Sequence, residues 1–489
     1  MSPLITLAIL LSYFGVLIVL SWYTSKDAND QSFYTGNKKS PWFLVAFGMI
    51  GASLSGVTFL SVPGAVVNSH FGYFQVVLGY MVGYIIIARV LLPLYYRLNL
   101  TSIYTYLESR YGTTAYKTGA AYFLLSRVIG ASFRLFLIAG VLHLAIFQNL
   151  IDGVEIPYWI TVAITIALIF AYTAKSGIKT VVYTDALQTF FLLASVVLTI
   201  IFIVNKLEWT WTETLTHLIE DPNTQIFHFE GNGGNVFWKQ FLGGAFIALA
   251  MTGLDQDMMQ KNLSISNVKS AQKNIYVQMG MFLIVNIVFL SLGALLYQYA
   301  AAYNITDFNK PDELFTSIAL RHSIPWVGAF FVIGLVAAAY SSADSALTAL
   351  TTSFCVDFLG YERNGKQTNK KVRRKVHIVF AVVIFFTILL FKQWNNDSVI
   401  VELFKVAGFT YGPLLGLFSF GILTKRTVTD SHVLPISLIA IVFTAAYYFG
   451  LPYFIDGFKA GFEVIIINGL LTFVLLYADS LVTLKNNNT

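Results

Sequence analysis

One short stretch of the chain concentrates oxygen-bearing side chains within otherwise apolar sequence. It reads VAAAYSSADSALTAL at residues 336–350 and carries hydroxyls at Ser341, Ser342 and Ser345 and a carboxylate at Asp344. A second acid, Asp185, lies in another apolar stretch, KTVVYTDALQTF. Hydroxyl, carbonyl and carboxylate oxygens are the ligands that hard cations prefer. The chemistry that these residues favour is therefore the binding of an ion such as sodium.

The composition of the chain places these groups within a membrane. Of its 489 residues, 56% are hydrophobic and 11% are charged, whereas about 25% of a soluble domain is charged. Many charge-poor stretches are long enough to cross a hydrocarbon core of ~30 Å as helices. The stretches are continuously apolar rather than alternating, which excludes a β-barrel. The first of them lacks a basic leader and a cleavage site, so we predict a retained span.

The apolar stretches predict an all-α polytopic protein with about thirteen spans. These spans centre near residues 13, 54, 86, 132, 166, 192, 248, 288, 338, 383, 411, 440 and 473. No linker divides the chain, so we predict one transmembrane domain. Within it, residues 1–40 form a leading helix and loop, residues 41–425 form the core, and residues 426–489 form two accessory helices.

The charges of the loops predict the orientation of the protein. Every second loop is basic, including the loop after the seventh span, with Lys261, Lys269 and Lys273, and the run RNGKQTNKKVRRK at residues 363–375. Intervening loops are acidic, for example at Glu208 and Glu213. Basic loops stay in the cytoplasm. The N-terminus is therefore predicted to be extracytoplasmic and the C-terminus cytoplasmic.

Two spans contain clusters of small residues that interrupt a helix. They are FGMIGASLSGVTFL in the second span and LGGAFIALAMTGLDQ in the seventh. In transporters with internal repeats, broken helices in matching positions hold substrate and ions at mid-membrane. Close helix packing through small residues is the alternative. The paired occurrence favours a binding site between two repeats.

The two acidic stretches are predicted to lie at a similar depth. Asp185 is a few residues inside the sixth span, and residues 341–345 lie in the inner half of the ninth. No Lys or Arg is at hand next to either acid, and an unpaired carboxylate there costs several kcal/mol. A bound cation would resolve the cost. Protonated acids bonded to their neighbours, or a proton relay, remain alternatives.

Arg134, in SRVIGASFRLFLIAG near the middle of the fourth span, is the most informative residue for the solute. Arginine does not deprotonate, so a buried arginine requires an anionic or carbonyl-rich partner. A solute carboxylate would provide one through a bidentate pair. Pairing with a buried acid of the chain is the alternative. Arg127 lies closer to the cytoplasm and is predicted to snorkel or to pair at an inner gate.

The remaining motifs argue against an enzyme. His70 and His143 lack partners at the spacing of a metal site, the lone Cys355 rules out an internal disulfide, and no nucleotide-binding or hydrolase motif is present. Asp255 and Gln256, where the seventh span ends, are predicted to cap a helix or to form part of a gate. We therefore expect no organic cofactor and no nucleic-acid partner.

Four motifs together resemble those of the sodium:solute symporter family. They are SFYTGNKKSPW, GASLSGVTFLSVPG, AAAYSSADSAL and FTYGPLLGLFSFGILTKR. The resemblance implies a LeuT-type fold, a five-plus-five inverted repeat that alternates access around a midplane site. It also implies a principal sodium site with the carbonyls of Gly51, Leu54 and Ala338 and the hydroxyls of Ser341 and Ser342.

The family also implies a possible second sodium site nearer the cytoplasm. Asp185, Ser341, Asp344 and Ser345 stand at the matching positions. Asp344 departs from the family pattern, because some members have a hydroxyl there. The additional carboxylate would either strengthen cation binding or, if protonated, leave a single functional sodium. The number of coupled sodium ions is thus open, at one or two.

The solute site resembles that of the sialic acid branch of the family. This resemblance implies contacts from Ser53, Ser55, Thr58, Phe71, Gln75 and Arg134. The glucose branch differs, because it has a tyrosine where this chain has Met251 and a lysine where it has Asn286. We predict a sodium-coupled symporter of a carboxylated solute such as sialic acid. A neutral sugar, an amino acid or a monocarboxylate remains an alternative solute.

Two other classes of function are weaker alternatives. A transport-dead sensor would append a signalling domain, and a channel would need a continuous polar pore. The predicted protein is a monomer in the bacterial inner membrane, with sodium, the solute and the lipid bilayer as its partners.

Overall fold

The computed structural model describes residues 3–26, 30–147, 156–173, 177–230, 234–361, 366–394, 399–455, 458 and 460–487. Residues 363–365, at the start of the predicted basic run, lie outside these ranges. The described residues form α-helices joined by short turns and contain no β-strand. The predicted all-α class is therefore confirmed for the described part of the chain.

The helices are numbered along the chain. The first ten are α1 (Pro3–Thr24), α2 (Asp30–Thr35), α3 (Trp42–Ser69), α4 (Tyr73–Ile86), α5 (Leu92–Arg97), α6 (Thr105–Arg110), α7 (Thr113–Leu142), α8 (Tyr158–Thr173), α9 (Ile178–Lys206) and α10 (Trp211–Glu220). The others are α11 (Phe237–Ala248), α12 (Gln256–Leu263), α13 (Val268–Ala302), α14 (Leu314–Arg321), α15 (Pro325–Ser353), α16 (Lys370–Trp394), α17 (Val399–Leu423), α18 (Val433–Ala445) and α19 (Val464–Asn487).

The lengths and compositions of these helices fit a membrane protein. Within the described residues, 10 helical segments are long and apolar enough to cross a bilayer. One of them, residues 42–97, contains α3 to α5 and is interrupted at His70, whose φ is 53°. Each of the predicted span centres falls within a helix. Large apolar side chains such as Phe386 and Val442 are exposed on the outer surface, as lipid-facing residues should be.

The core helices form two sets of five that exchange packing partners. The first set is α3, α4, α7, α8 and α9, and the second is α11 with α12, α13, α15, α16 and α17. Helix α3 packs on α13 while α4 packs on α11, and α9 packs on α15 while α7 packs on α17. Likewise α8 contacts α15 and α16 contacts α7. Each of these contacts between the two sets thus has an equivalent contact in which the roles of the sets are reversed. A five-plus-five repeat predicts this packing.

The first helix of each set is interrupted at the predicted position. In α3, Ser55 has φ 41° and ψ 167°, which breaks the helix in its middle. In the second set, a wide turn at residues 249–253 separates α11 from α12. Asp255 then begins α12, and its carboxylate accepts a hydrogen bond of 3.1 Å from the Met258 amide. The prediction that Asp255 caps a helix is therefore confirmed.

Close approach of α3 to α9 depends on a glycine. A methyl group on Gly51 would lie 2.2 Å from Oγ1 of Thr189. The Gly51 amide instead donates a hydrogen bond of 3.2 Å to that hydroxyl. The contact joins the turn of α3 that precedes the break to the helix that carries Asp185.

Candidate solute and sodium sites

A cavity lies where the two interrupted helices meet α4, α7 and α13. Four of the six residues predicted for the solute line it: Ser53, Ser55 and Thr58 from α3, and Arg134 from α7. The remaining wall is mostly aromatic or apolar, with Tyr73, Tyr80, Tyr84, Met251, Met258 and Phe282 among its residues, and it also contains Arg127 and Thr252. A largely apolar cavity with a few convergent polar groups is the usual form of a small-molecule site.

Arg134 supplies a buried charge to this cavity and forms no direct ion pair with an acid of the described residues. Its side chain is 6% exposed, and its Nε and Nη1 atoms have no hydrogen-bond partner. The ion pairs of the described residues do not include Arg134. Pairing with an acid of the chain, the alternative left open by the sequence, is thus not observed. A buried guanidinium with free donors facing a cavity favours an anionic ligand.

Phe71 and Gln75 lie apart from the residues that line the cavity. The Gln75 amide nitrogen donates to the carbonyls of Gly72 (3.2 Å) and Asn235 (3.1 Å), and its oxygen accepts from the His228 amide (3.1 Å). Gln75 thus anchors the loop that precedes α11. The solute contacts predicted for these two residues stay predictions.

Ser342, one of the residues predicted for the principal sodium ion, bridges α15 and α3. The Ser342 hydroxyl donates to the carbonyl of Ala52 at 3.3 Å, in the turn before the break in α3, and lies 3.5 Å from the carbonyl of Ala338. The neighbouring Ser341 hydroxyl is fully buried, lies beside the Asp185 carboxylate, and makes no well-formed hydrogen bond among the described residues. The break at Ser55 also interrupts the hydrogen bonding of nearby backbone carbonyls. Gly51 and Leu54, which belong to this turn, are buried with it. A buried set of oxygen donors of this kind fits a sodium ion.

The region predicted for a second sodium ion contains a lysine that the sequence placed elsewhere. Lys261 is 1% exposed, and its ammonium nitrogen lies 2.7 Å from Oδ2 of Asp185 and 4.0 Å from Oδ1 of Asp257. The assignment of Lys261 to the basic loop after the seventh span was wrong, because Lys261 is buried within α12. So was the inference that Asp185 has no basic partner, because that partner comes from a third helix rather than from either acidic stretch.

The other predicted members of the second site surround this ion pair. Asp344 accepts a hydrogen bond of 3.0 Å from the Tyr172 hydroxyl, while its other oxygen has no hydrogen-bond partner. Ser345 donates to Asp257 at 3.1 Å. Asp344 also interacts electrostatically with both Asp185 and Lys261. The structure therefore brings Asp185, Asp344 and Ser345 together, but around an ammonium group of the chain.

A second buried ion pair lies between this region and the cavity. Arg127 pairs with Asp257 and lies 3.6 Å from Asp255, and Tyr411 donates a hydrogen bond to Asp255. These contacts join α7, α12 and α17. Of the two roles predicted for Arg127, snorkelling or pairing at an inner gate, the geometry shows pairing, and the gate stays a prediction. Gln256, beside Asp255, bonds to the backbone of Thr101 and Ile103.

The functional residues of α12, Asp257 and Lys261, were not predicted from the sequence. Asp257 and Lys261 are four residues apart, the spacing at which opposite charges lie on one helical face. This spacing was a usable signal that a helix continues beyond the break. Tyr172 and Tyr411 left no comparable signal, because tyrosine is common at membrane interfaces and nothing local marks a hydroxyl that turns inward.

Comparisons with known proteins agree with this architecture. The sequence profile of the sodium:solute symporter family matches residues 33–476. The sodium/sialic acid symporter of Proteus mirabilis is 25% identical over 480 residues, which cover 94% of this chain and 93% of that protein. The sodium/sialic acid symporter of Aliivibrio fischeri is 24% identical, with coverage of 87% and 84%.

A solved structure gives the same result for the fold. A Na+-coupled sialic acid symporter in its substrate-bound outward-open state superposes with a TM-score of 0.83 at 19% identity, over 98% of each chain. The two proteins thus share one fold over nearly their whole lengths.

Proposed function

Because this chain belongs to the sodium:solute symporter family, we propose that it is a secondary active transporter that moves a small carboxylated solute together with sodium. It works by alternating access, in which the site opens to one side of the membrane at a time. It has no enzymatic activity and requires no organic cofactor. The solute class that agrees best with the residues of the cavity is the sialic acids.

The observation that carries the choice of an anionic solute is the unpaired guanidinium of Arg134. A carboxylate can accept two parallel hydrogen bonds from one arginine. In a buried site this pair replaces the water that both groups lose on binding. Ser53, Ser55 and Thr58 add hydroxyls on the opposite helix for the remaining oxygens of the ligand.

The relatives narrow the class further. Both curated relatives described above are sialic acid symporters. The cavity wall has Met251 where the glucose branch of the family has a tyrosine, which disfavours a neutral hexose. The aromatic side chains of α4 offer surfaces for the carbon skeleton of a sugar acid, while Arg134 holds its charge.

Sodium coupling follows from the shared use of α3. This helix supplies the hydroxyls of Ser53, Ser55 and Thr58 to the solute cavity, and the turn that precedes Ser55 supplies carbonyls to the proposed principal sodium site. Sodium bound between α3 and α15 fixes the broken helix in the form that the solute requires. Each ligand then raises the affinity for the other by the same factor, as linkage requires.

The proposed protein crosses the membrane thirteen times as one domain. The long apolar helices account for most crossings, and α8 and the discontinuous pair α11 and α12 complete the set. The N-terminus lies outside the cytoplasm and the C-terminus inside it, in a bacterial inner membrane. The ion pairs of Arg127 and Lys261 with acids then lie toward the cytoplasm.

Uptake into proteoliposomes tests this function. We expect an inward sodium gradient to drive accumulation of radiolabelled sialic acid, and a pH gradient alone to drive none. Unlabelled sialic acid should compete, whereas glucose and proline should not. Uptake that does not depend on the sodium gradient, or that glucose inhibits as strongly as unlabelled sialic acid does, would contradict the proposal.

The variant Arg134→Gln tests the role of the guanidinium. Removing one partner of a buried charge pair costs about 2–5 kcal/mol, which is roughly a 30-fold loss or more in affinity for a carboxylated solute. Arg321→Gln is the matched control, because Arg321 pairs with Asp307 on the surface with 63% of its side chain exposed. Full transport by Arg134→Gln would remove the carboxylate assignment.

A further inference from the structure

The ion pair of Lys261 with Asp185 lies where the family resemblance places a second sodium ion. The predicted ligands of that ion were Asp185, Ser341, Asp344 and Ser345. In the structure the Lys261 ammonium is 2.7 Å from the Asp185 carboxylate, interacts with Asp344, and lies 4.0 Å from the acid that accepts the Ser345 hydrogen bond. The donor set therefore does not fit a free sodium ion.

We propose that the Lys261 side chain is a tethered cation that takes the place of the second sodium ion, so that this transporter binds one sodium per solute. The inference rests on the proposed function and concerns its stoichiometry. One sodium binds at the principal site between α3 and α15. The ammonium neutralises Asp185 throughout, so the second site is not available to an ion from solution.

Burial makes this arrangement selective against sodium. Lys261 and Asp185 are each 1% exposed, so the ammonium has no water-filled space to move into while α12 stays in place. A sodium ion bound beside Asp185 would lie within a few ångströms of the ammonium, and like charges at that distance in a buried site repel strongly. The Asp185 carboxylate is also already paired with the Lys261 ammonium.

The position of Lys261 on α12 explains how the ammonium reaches this site. The helix begins at the Asp255 cap and packs against α15 and α9. Asp257 lies one turn earlier on the same helix and pairs with Arg127. One short helix thus supplies both the acid that holds Arg127 and the base that holds Asp185.

Equilibrium binding of ²²Na⁺ to the purified full-length protein tests the proposal without the need for a solute. The wild-type protein is expected to bind one sodium per chain, with a Hill coefficient near 1. Lys261→Gln removes the tethered charge and should leave Asp185, Asp344 and the serines free for a second ion. That variant is expected to bind two sodium ions per chain, with a Hill coefficient above 1.

Two further variants separate the effect of charge from that of a damaged fold. Lys261→Arg keeps a cation and should bind one sodium. The double variant of Lys261→Gln with Asp185→Asn removes both charges and should also bind one. Size-exclusion chromatography of each variant establishes that the fold is retained.

Two sodium ions on the wild-type protein would overturn the inference, whatever the variants do. A folded Lys261→Gln protein that still binds one sodium would overturn it as well. Both results are compatible with sodium-driven uptake and so leave the proposed function intact. The proposed function itself fails on a different result, namely no sodium binding and no uptake driven by a sodium gradient.

Discussion

Two serine hydroxyls in α15 make different contacts, and this difference bears on sodium binding. Ser342 bonds to a backbone carbonyl of α3 across the helix interface, whereas the buried Ser341 hydroxyl lies beside the Asp185 carboxylate without a well-formed hydrogen bond among the described residues. A buried hydroxyl without a hydrogen bond is costly in an apolar environment. A sodium ion between the helices would satisfy both side chains and the carbonyls near Ser55.

The variant Ser342→Ala is expected to weaken sodium binding without disrupting the fold. Losing one contact to a charged group costs about 1.5–3 kcal/mol, so the sodium concentration for half-maximal uptake should rise roughly 10-fold or more. The measurement is initial uptake of sialic acid as a function of sodium concentration.

Thr199→Ala is the matched control for this variant. Thr199 is also a buried hydroxyl in a core helix, and it donates to the Ser195 carbonyl of its own helix at 2.8 Å. Its removal should leave sodium activation unchanged. An unaltered sodium dependence in Ser342→Ala would argue against the principal site.

At the scale of single elements, the interruption of α3 is the feature that organises the site. The break at Ser55 was predictable, because small residues cluster around it and helix interruptions in membranes have to face a cavity or protein. The course of α12 was not predictable from hydropathy. A segment with an acid and a base reads as a loop when only its average polarity is considered, although it forms a buried helix here.

Gly51→Ala tests whether the close approach of α3 to α9 is required. The added methyl group would lie 2.2 Å from Oγ1 of Thr189, so one helix has to shift. Overpacking of this kind costs about 1–3 kcal/mol, and we expect a lower melting temperature in detergent together with weaker sodium binding. Adding Thr189→Ala should restore part of the stability.

Gly280→Ala is the control for this pair of variants. Gly280 lies within α13, and a methyl group added there would have no neighbour within 4 Å. Replacing glycine by alanine inside a helix usually stabilises it by about 0.5–1 kcal/mol. If Gly51→Ala and Gly280→Ala change the melting temperature and sodium binding equally, the close contact of α3 with α9 is not required.

At the scale of the whole molecule, most of the architecture could be predicted from the sequence. The spacing of apolar stretches located every core helix except α12, since hydrocarbon thickness fixes span length. The contacts of Lys261 could not be predicted, because they depend on three helices whose relative positions no local pattern encodes. The hydrogen bonds of Gln75 to the loop before α11 were unpredictable for the same reason.

The orientation in the membrane is a prediction that cysteine labelling can test. The chain has one cysteine, Cys355, which is buried, so Cys355→Ala provides a cysteine-free background. Thr216→Cys, in the loop helix α10, should react with a membrane-impermeant maleimide on intact cells. Lys371→Cys, at the start of α16, should react only after permeabilisation. The reverse pattern would invert the proposed topology.

Helix α12 carries two charged side chains, and each pairs with a charge on a different neighbouring helix. Asp257 faces Arg127 of α7, and Lys261 faces Asp185 of α9, so a movement of this helix by a few ångströms separates both pairs at once. A displaced α12 would leave these buried charges without their partners, which is strongly unfavourable. We therefore expect α12 and α9 to move together when the transporter changes state, so that the pair of Lys261 with Asp185 is preserved.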